Sequence, residues 1–246
     1  MMKLFKSLFG TAAVAAACSS TPGFPSECFQ TPAGGKLTVY LVNHGSIAFS
    51  YKGMSIQIDP VAEMDGKKLD YASFPKADYI FVTHDHYDHL DAKAIETLSK
   101  DETLVVLNGT AWEKLRSGKV LNNGDHLELA EGVFVTAVPA YNNTEDHMKF
   151  HPQTRNNGYI FEFDGMRVYV SGDTEDIEEM AEFGKMHVAF LSTNQPYTMT
   201  PQQCAHAAAM LDPDTVIPYH LGDTDFQALK DALSGCKDVR LHEELR

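Results

Sequence analysis

Two successive rounds of short β-prone runs, each followed by helix-forming segments, constrain this 246-residue chain more than any other feature. Residues 37–42, 47–51 and 54–58 are rich in β-branched and aromatic side chains. They are separated by Gly45-Ser46 and Lys52-Gly53, which predicts an antiparallel meander. A compact strand follows at 79–83. Asp91 can then cap a helix running to Lys100, residues 104–107 form a strand, and 110–116 a short helix. The second round begins with strands at 133–138, 159–163 and 167–170. The last two are joined by Asp164-Gly165, a strong hairpin signal. A helix over 175–183 and a strand over 187–191 come next. Thr200-Pro201-Gln202-Gln203 then supplies a cap, a first-turn proline and a capping-box glutamine for a helix to Leu211. A strand at 215–219 and a helix at 226–233 complete the pattern. Such a chain is α/β (α+β), with two sheets packed together and helices outside, and it is long enough to bury a substantial core.

Charge narrows the functions available. The chain carries 34 Asp and Glu against 20 Lys and Arg, a formal net charge of -14. Binding a nucleic acid by phosphate neutralisation needs a basic face, so no nucleic-acid partner is expected. The acid excess is either a solvated surface or, in part, carboxylates held around metal ions.

The N-terminus reads separately from the domain. Lys3 and Lys6 precede an apolar, small-residue run from Leu8 to Ala17 that is too short to span a bilayer. Cys18-Ser19-Ser20-Thr21-Pro22 follows. We read 1–17 as a signal peptide, 18–35 as a linker and 36–246 as the folded domain, which makes the protein exported, either periplasmic or membrane-anchored. Val14-Ala15-Ala16-Ala17-Cys18 resembles a bacterial lipoprotein cleavage box, which implies a lipid anchor at Cys18, although such boxes usually carry Leu where Ala15 stands. Residues 1–17 hold two lysines and no acids, so their removal makes the remainder more acidic. Of the remaining cysteines, Cys204 and Cys236 are the better pair for a disulfide, yet the setting of Cys204 among Ala205, Ala208 and Ala209 in a helix favours a buried free thiol.

Chemistry concentrates behind the strand at 79–83, where the chain reads His84-Asp85-His86-Tyr87-Asp88-His89. Three of the eleven histidines and two carboxylates fall within these six residues. In an extended segment His84 and His86 point to one side and can converge on one ion. A turn through Tyr87 sends Asp88 and His89 to a neighbouring position. That arrangement suits two adjacent metals.

His84-x-His86-x-Asp88-His89 after a strand ending in Thr83 resembles the signature of the metallo-β-lactamase fold superfamily. The resemblance implies a four-layer αββα sandwich of two packed β-sheets with outer helices, and a dinuclear metal site at its edge. Ser171-Gly172-Asp173-Thr174 resembles the segment whose aspartate bridges both metals, and Ile217-Pro218-Tyr219-His220 resembles that of the last histidine ligand. Val42-Asn43-His44-Gly45-Ser46, Ile58-Asp59-Pro60 and Tyr197-Thr198-Met199-Thr200-Pro201 are similar to the branch that includes ascorbate 6-phosphate lactonase. The resemblance covers residues 36–225.

One ligand departs from the pattern. The superfamily usually supplies another histidine between the first cluster and Asp173, in this branch just after an Ala and an aromatic residue. Here the chain reads Ala140-Tyr141-Asn142-Asn143. An amide oxygen is a harder and weaker ligand than imidazole. His147, His151 or Asn142 itself completes the first site, with His151 favoured.

The resemblance then implies a set of roles. His84, His86 and His151 bind one divalent ion, Asp88, His89 and His220 a second, and Asp173 lies between them. Zinc comes first, with manganese or iron as alternatives. Asp88 is also the expected catalytic residue, orienting a metal-activated hydroxide and taking up its proton. His44 and Asp59 are expected to support ligands from behind. Tyr141, Asn142, Tyr197 and Met199 are expected to line the substrate pocket. The substrate is then a small molecule, an ester, lactone or phosphoester, and the enzyme classes left open beside that are a phosphodiesterase and a β-lactam hydrolase. A rival of another class is a degenerate, metal-stabilised binding protein without turnover, which draws its weight from Asn142. Oligomeric state is not legible.

Overall fold

The structure is a computed structural model that describes residues 23–64 and 66–246. The expected signal peptide, and Cys18 with its expected lipid, lie outside the described residues.

Fifteen strands and four α-helices are formed by the described residues. The first half contains β1 (Ser26–Gln30), β2 (Lys36–Asn43), β3 (Ser46–Tyr51), β4 (Met54–Ile58), a small hairpin of β5 (Glu63–Met64) and β6 (Lys67–Lys68), β7 (Tyr79–Val82), α1 (Ala92–Leu98), β8 (Leu104–Leu107), α2 (Gly109–Leu115) and β9 (Lys119–Val120). The second half contains β10 (His126–Ala130), β11 (Val133–Ala140), β12 (Asn156–Phe163), β13 (Met166–Val170), β14 (Val188–Ser192), α3 (Pro201–Leu211), β15 (Thr215–Tyr219) and α4 (Phe226–Ala232).

Each half builds one sheet on the same plan. The first runs β1-β2-β3-β4-β7-β8-β9, antiparallel to β4 and parallel beyond it. The second runs β10-β11-β12-β13-β14-β15, antiparallel to β13 and parallel beyond it. Parallel neighbours need crossover connections, and three of these supply α1, α2 and α3.

Alternation along the strands separates the layers. In β7, Phe81 points into the core between the sheets, while Ile80 and Val82 point outwards to Ala94, Ile95 and Leu98 of α1. Across the sheet interface Phe49 meets Phe161 edge-on at 5.3 Å and Phe163 at 5.6 Å, and Phe81 meets Phe161 at 4.9 Å. On the far side Cys204, Ala207, Ala208 and Leu211 of α3 and Leu229 of α4 cover the second sheet. The result is the expected four-layer αββα sandwich.

The local signals operate as anticipated at several points. Asp91 caps α1, accepting from the amides of Lys93 and Ala94. Thr200 and Gln203 close a reciprocal capping box, with Pro201 in the first turn of α3. Asp164 and Gly165 both take positive φ, 46° and 84°, as a tight hairpin requires.

Two expectations are corrected. The linker does not extend to residue 35: Ser26–Gln30 pairs antiparallel with β2, so the folded domain starts before Lys36. The stretch 175–183 is not one helix. The Ile177 amide closes a tight turn onto the Glu175 carbonyl at 3.0 Å, a bond that a helix does not make, and only Glu178–Glu182 winds into a short 3-10 segment. Strand β10, an edge strand of modest apolarity, was not anticipated. Cys204 and Cys236 are free thiols, Cys204 fully buried, so the disulfide does not form and the buried-thiol reading holds.

Candidate metal centre

The cluster lies at the rim where both sheets end, and Asp59 is its foundation. This residue directly follows β4, takes a left-handed φ of 46° and is fully buried. Its carboxylate accepts from the Thr83 amide at 2.7 Å and the Thr83 hydroxyl at 2.7 Å, and from His89 Nδ1 at 2.7 Å. Thr83 Oγ1, its proton committed to Asp59, accepts in turn from His84 Nδ1 at 2.9 Å. One carboxylate therefore fixes the tautomers of His84 and His89, and both rings present Nε2 to the same space. Burial pushes the Asp59 carboxyl upwards, against the opposing pull of His89.

Asp173 enters from the second sheet, after β13. Gly172 before it has φ 61°, and a Cβ there would stand 2.8 Å from the Asn157 carbonyl oxygen, so only glycine brings the backbone this close to β12. Asp173 Oδ2 lies 3.2 Å from His151 Nε2, 3.3 Å from His220 Nε2 and 3.8 Å from His84 Nε2, while Oδ1 lies 3.3 Å from His89 Nε2. It occupies the middle of the cluster.

His151 arrives on the loop between β11 and β12. Its Nδ1 donates to the Tyr197 carbonyl at 3.0 Å, so Nε2 faces inwards, where it joins His84 and His86 with ligand atoms all within 4.8 Å. Asn142 is fully buried and does not join them. Its Nδ2 donates to the carbonyls of Tyr197 at 2.7 Å and His147 at 3.2 Å, and its amide N to the His151 carbonyl at 2.8 Å, so it holds the loop that delivers His151. His147 turns away to the buried Glu175 carboxylate at 2.8 Å.

The second grouping differs from expectation in one member. Asp88 and His220 are joined by His44, their ligand atoms again within 4.8 Å, while His89 groups with His84 and Asp173. The His44 ring packs on that of His220 at 3.8 Å and its Nε2 stands 3.8 Å from Asp88 Oδ2, so His44 faces the cluster instead of backing a ligand from behind. Gly45 permits the approach: a Cβ there would lie 2.8 Å from His89 Cε1.

Electrostatics follow from this crowding. Burial, and then the charge of His89, hold His84 well below the ordinary histidine range, and burial with the His220 and His89 charges holds His44 down at about 3. His89 moves the other way: burial opposes its charge, but Asp173, Asp88 and Asp59 outweigh that and hold the ring protonated. Burial raises Asp88, yet His89 and the hydrogen bond from His220 prevail and keep it ionised.

The residues fit a cation. Buried and without a hydrogen-bond partner among the described residues are His84 Nε2, His89 Nε2, His151 Nε2 and Asp173 Oδ1. Convergent imidazole nitrogens and carboxylate oxygens of this kind are the donor set of zinc and related transition metals.

A cavity of about 390 Å³ opens over the cluster. Tyr197 lines it as expected, half exposed, together with Tyr87, Phe150 and Arg246. Tyr141 and Asn142 do not line it. The Tyr141 hydroxyl donates to Glu179 at 2.9 Å in a separate surface cleft, Asn142 is buried under the loop, and Met199 is in the core. Tyr141 lies just past the end of β11, outside the pairing with β12, where its side chain turns to Glu179. Phe150, Asn194 and Arg246 were missed, since no local motif marks residues brought together only by the tertiary fold.

Comparison with known proteins agrees with this geometry. Residues 38–220 match the model of the beta-lactamase superfamily domain. The chain is 31% identical over 184 residues to a UPF0173 metal-dependent hydrolase of Thermococcus kodakarensis, covering 72% of this chain and 81% of that one. A crystal structure from Parabacteroides distasonis, provisionally named a metal-dependent hydrolase, superposes with a TM-score of 0.85 at 49% identity, over 91% of this chain and all of the other. The metallo-beta-lactamase fold protein YhfI of Bacillus subtilis shares the fold, with a TM-score of 0.65 at 11% identity, over 89% of this chain and 92% of that one. With three quarters of its length matched by the family model and its ligand-bearing loops on the rim of the same sandwich, the chain belongs to the beta-lactamase superfamily of the metallo-β-lactamase fold.

Proposed function

We propose that this chain is an exported, metal-dependent hydrolase acting on a small ester, lactone or phosphoester. The observation that carries the reading is the convergence of buried, unpartnered Nε2 atoms of His84, His89 and His151 on Asp173. Leaving a buried nitrogen such as His84 Nε2 unsatisfied costs about 1–3 kcal/mol, a cost that a cation removes. His84, His86 and His151 would hold one ion, and Asp88 and His220, with His44 or His89, a second, with Asp173 between. Zinc suits this set best, and manganese or iron are the alternatives. Divalent ions there supply a Lewis acid and a water made acidic near neutral pH.

The chain's own residues do the rest. Asp88 lines the cavity as an ionised carboxylate, so it can orient the attacking water and take up its proton as the leaving group departs. The Tyr197 hydroxyl is available to hydrogen-bond a leaving oxygen. Asp59, with no atom in the cavity, keeps His84 and His89 in the tautomers that point inwards. The lactone member of the substrate set follows from the resemblance of residues 42–46, 58–60 and 197–201 to the ascorbate 6-phosphate lactonase branch. A binding protein without turnover draws its weight from Asn142; His151 Nε2 beside His84 and His86 supports the hydrolase reading instead.

The test is metal analysis of the purified protein, then a screen of lactones, phosphodiesters, esters and β-lactams with zinc, manganese and iron each restored. Less than one metal per chain and no turnover with any metal would overturn the reading. His86→Ala should abolish turnover and leave the circular dichroism spectrum intact. Export and lipidation are read by membrane fractionation of the wild type against Cys18→Ser; identical soluble behaviour would remove the anchor. Among the described residues no helix is long and apolar enough to cross a membrane.

A further inference from the structure

The cavity over the metal centre has two unlike ends. Beside His151 it is aromatic: Phe150 and Tyr197 pack edge-on at 5.0 Å, and Tyr87 on the metal loop is 78% exposed. Beside His220 it is polar, and there Arg246 supplies the cationic side chain in a chain with far more acids than bases.

Arg246 is held in place. Its Nη1 donates to the carbonyls of Gly222 at 3.2 Å and Thr224 at 3.0 Å, its Nε to Glu243 at 2.6 Å, and the guanidinium lies 4.0 Å over the Phe226 ring. Those bonds leave the two N–H donors of Nη2 for a bound group. The turn carrying it is fastened to the metal centre: the His44 amide donates to the Glu244 carbonyl at 3.2 Å and the Leu221 amide to that of Leu245 at 2.9 Å. An arginine that only stapled this turn would not need to face the cavity. A guanidinium fixed at the cavity wall, with Nη2 outside these bonds, is a pre-organised oxyanion receptor, because its ordering cost is met before a ligand arrives.

We infer that Arg246 is a specificity-determining residue that binds an anionic group of the substrate, remote from the scissile bond, while an apolar group of the same substrate sits among Tyr87, Phe150 and Tyr197. The inference rests on the hydrolase reading and narrows its substrates to amphipathic anionic esters, lactones or phosphoesters.

A matched pair of esters tests it: mono(p-nitrophenyl) glutarate, which ends in a carboxylate, and p-nitrophenyl valerate, which ends in a methyl group. The metal-loaded wild type should prefer the glutarate ester. Arg246→Gln should lose roughly tenfold in kcat/KM on it, mainly through KM, as expected for a lost hydrogen bond to a charged group, and change little on the valerate ester. Glu243→Gln, which frees the turn of its ion pair but keeps the guanidinium, should retain the preference. Equal losses on both esters, or no preference in the wild type, would overturn the inference and reduce Arg246 to a staple. If neither ester turns over, both are titrated calorimetrically into the metal-loaded protein. Tighter binding of the glutarate ester that disappears in Arg246→Gln supports the receptor without the hydrolase, and equal binding overturns it.

Discussion

At the scale of single residues, Asp59 shows how a side chain outside the cavity governs what happens within it. His84 and His89 can offer Nε2 to a metal only while Nδ1 carries the proton, and both of those protons run, directly or through Thr83, to one buried carboxylate. Asp59→Asn keeps the volume but sets an amide against the Thr83 amide, the Thr83 hydroxyl and the His89 ring. Metal affinity should fall by about 10–100-fold, measured by competition with a chromophoric chelator. His89 makes a second prediction. Three carboxylates hold its ring protonated when no cation is present, above the ordinary histidine range, so a metal taking Nε2 must expel that proton. Loading should therefore release protons at pH 7 and weaken as pH falls. Calorimetry in buffers of different ionisation enthalpy reads the release directly, and a heat independent of buffer would refute it.

Between elements, the loop from β11 to β12 is where the sequence was least informative. The run His84 to His89 is legible because its ligands are adjacent, whereas the choice among Asn142, His147 and His151 depends on how ten residues fold back on themselves. The deciding group is Glu175. Fully buried, it accepts from the amides of Asn143 at 2.8 Å and Thr144 at 2.6 Å and from His147 at 2.8 Å. In sequence Glu175 reads as the first turn of a helix, because acidic residues there are common; its real partners are thirty residues upstream. Glu175→Gln sets an amide against backbone N–H donors and should cost about 1–3 kcal/mol. Amide hydrogen exchange should then quicken over residues 143–151, and occupancy of the His84, His86 and His151 group should fall. Unchanged exchange in that loop would show that Glu175 does not hold it.

For the molecule as a whole, the alternation of strands and helices made the sandwich legible, since each run carries its own period. The β1 edge and the cavity's far wall were not, because Ser26–Gln30 is half-exposed and Arg246 acts through tertiary contacts alone. The same architecture sets what metal does for stability. His84 to His89 leave β7 of the first sheet, whereas Asp173 and His220 leave β13 and β15 of the second, so an ion held among them ties the two sheets at their rim. The core does not depend on that tie: Phe49, Phe81, Phe161 and Phe163 interlock away from it and are fully buried. A ligand present at a hundred times its Kd stabilises by about 2.7 kcal/mol, and each kcal/mol moves Tm by roughly 2–4 °C at this size. Chelation should thus lower Tm by roughly 5–10 °C while leaving the far-ultraviolet circular dichroism spectrum at room temperature unchanged. Phe49→Ala should cost about 3–5 kcal/mol with or without metal, because the two effects reside in separate places and add. Collapse of secondary structure on chelation would mean instead that the ions hold the sandwich together, and an unmoved Tm that no ion bridges its halves.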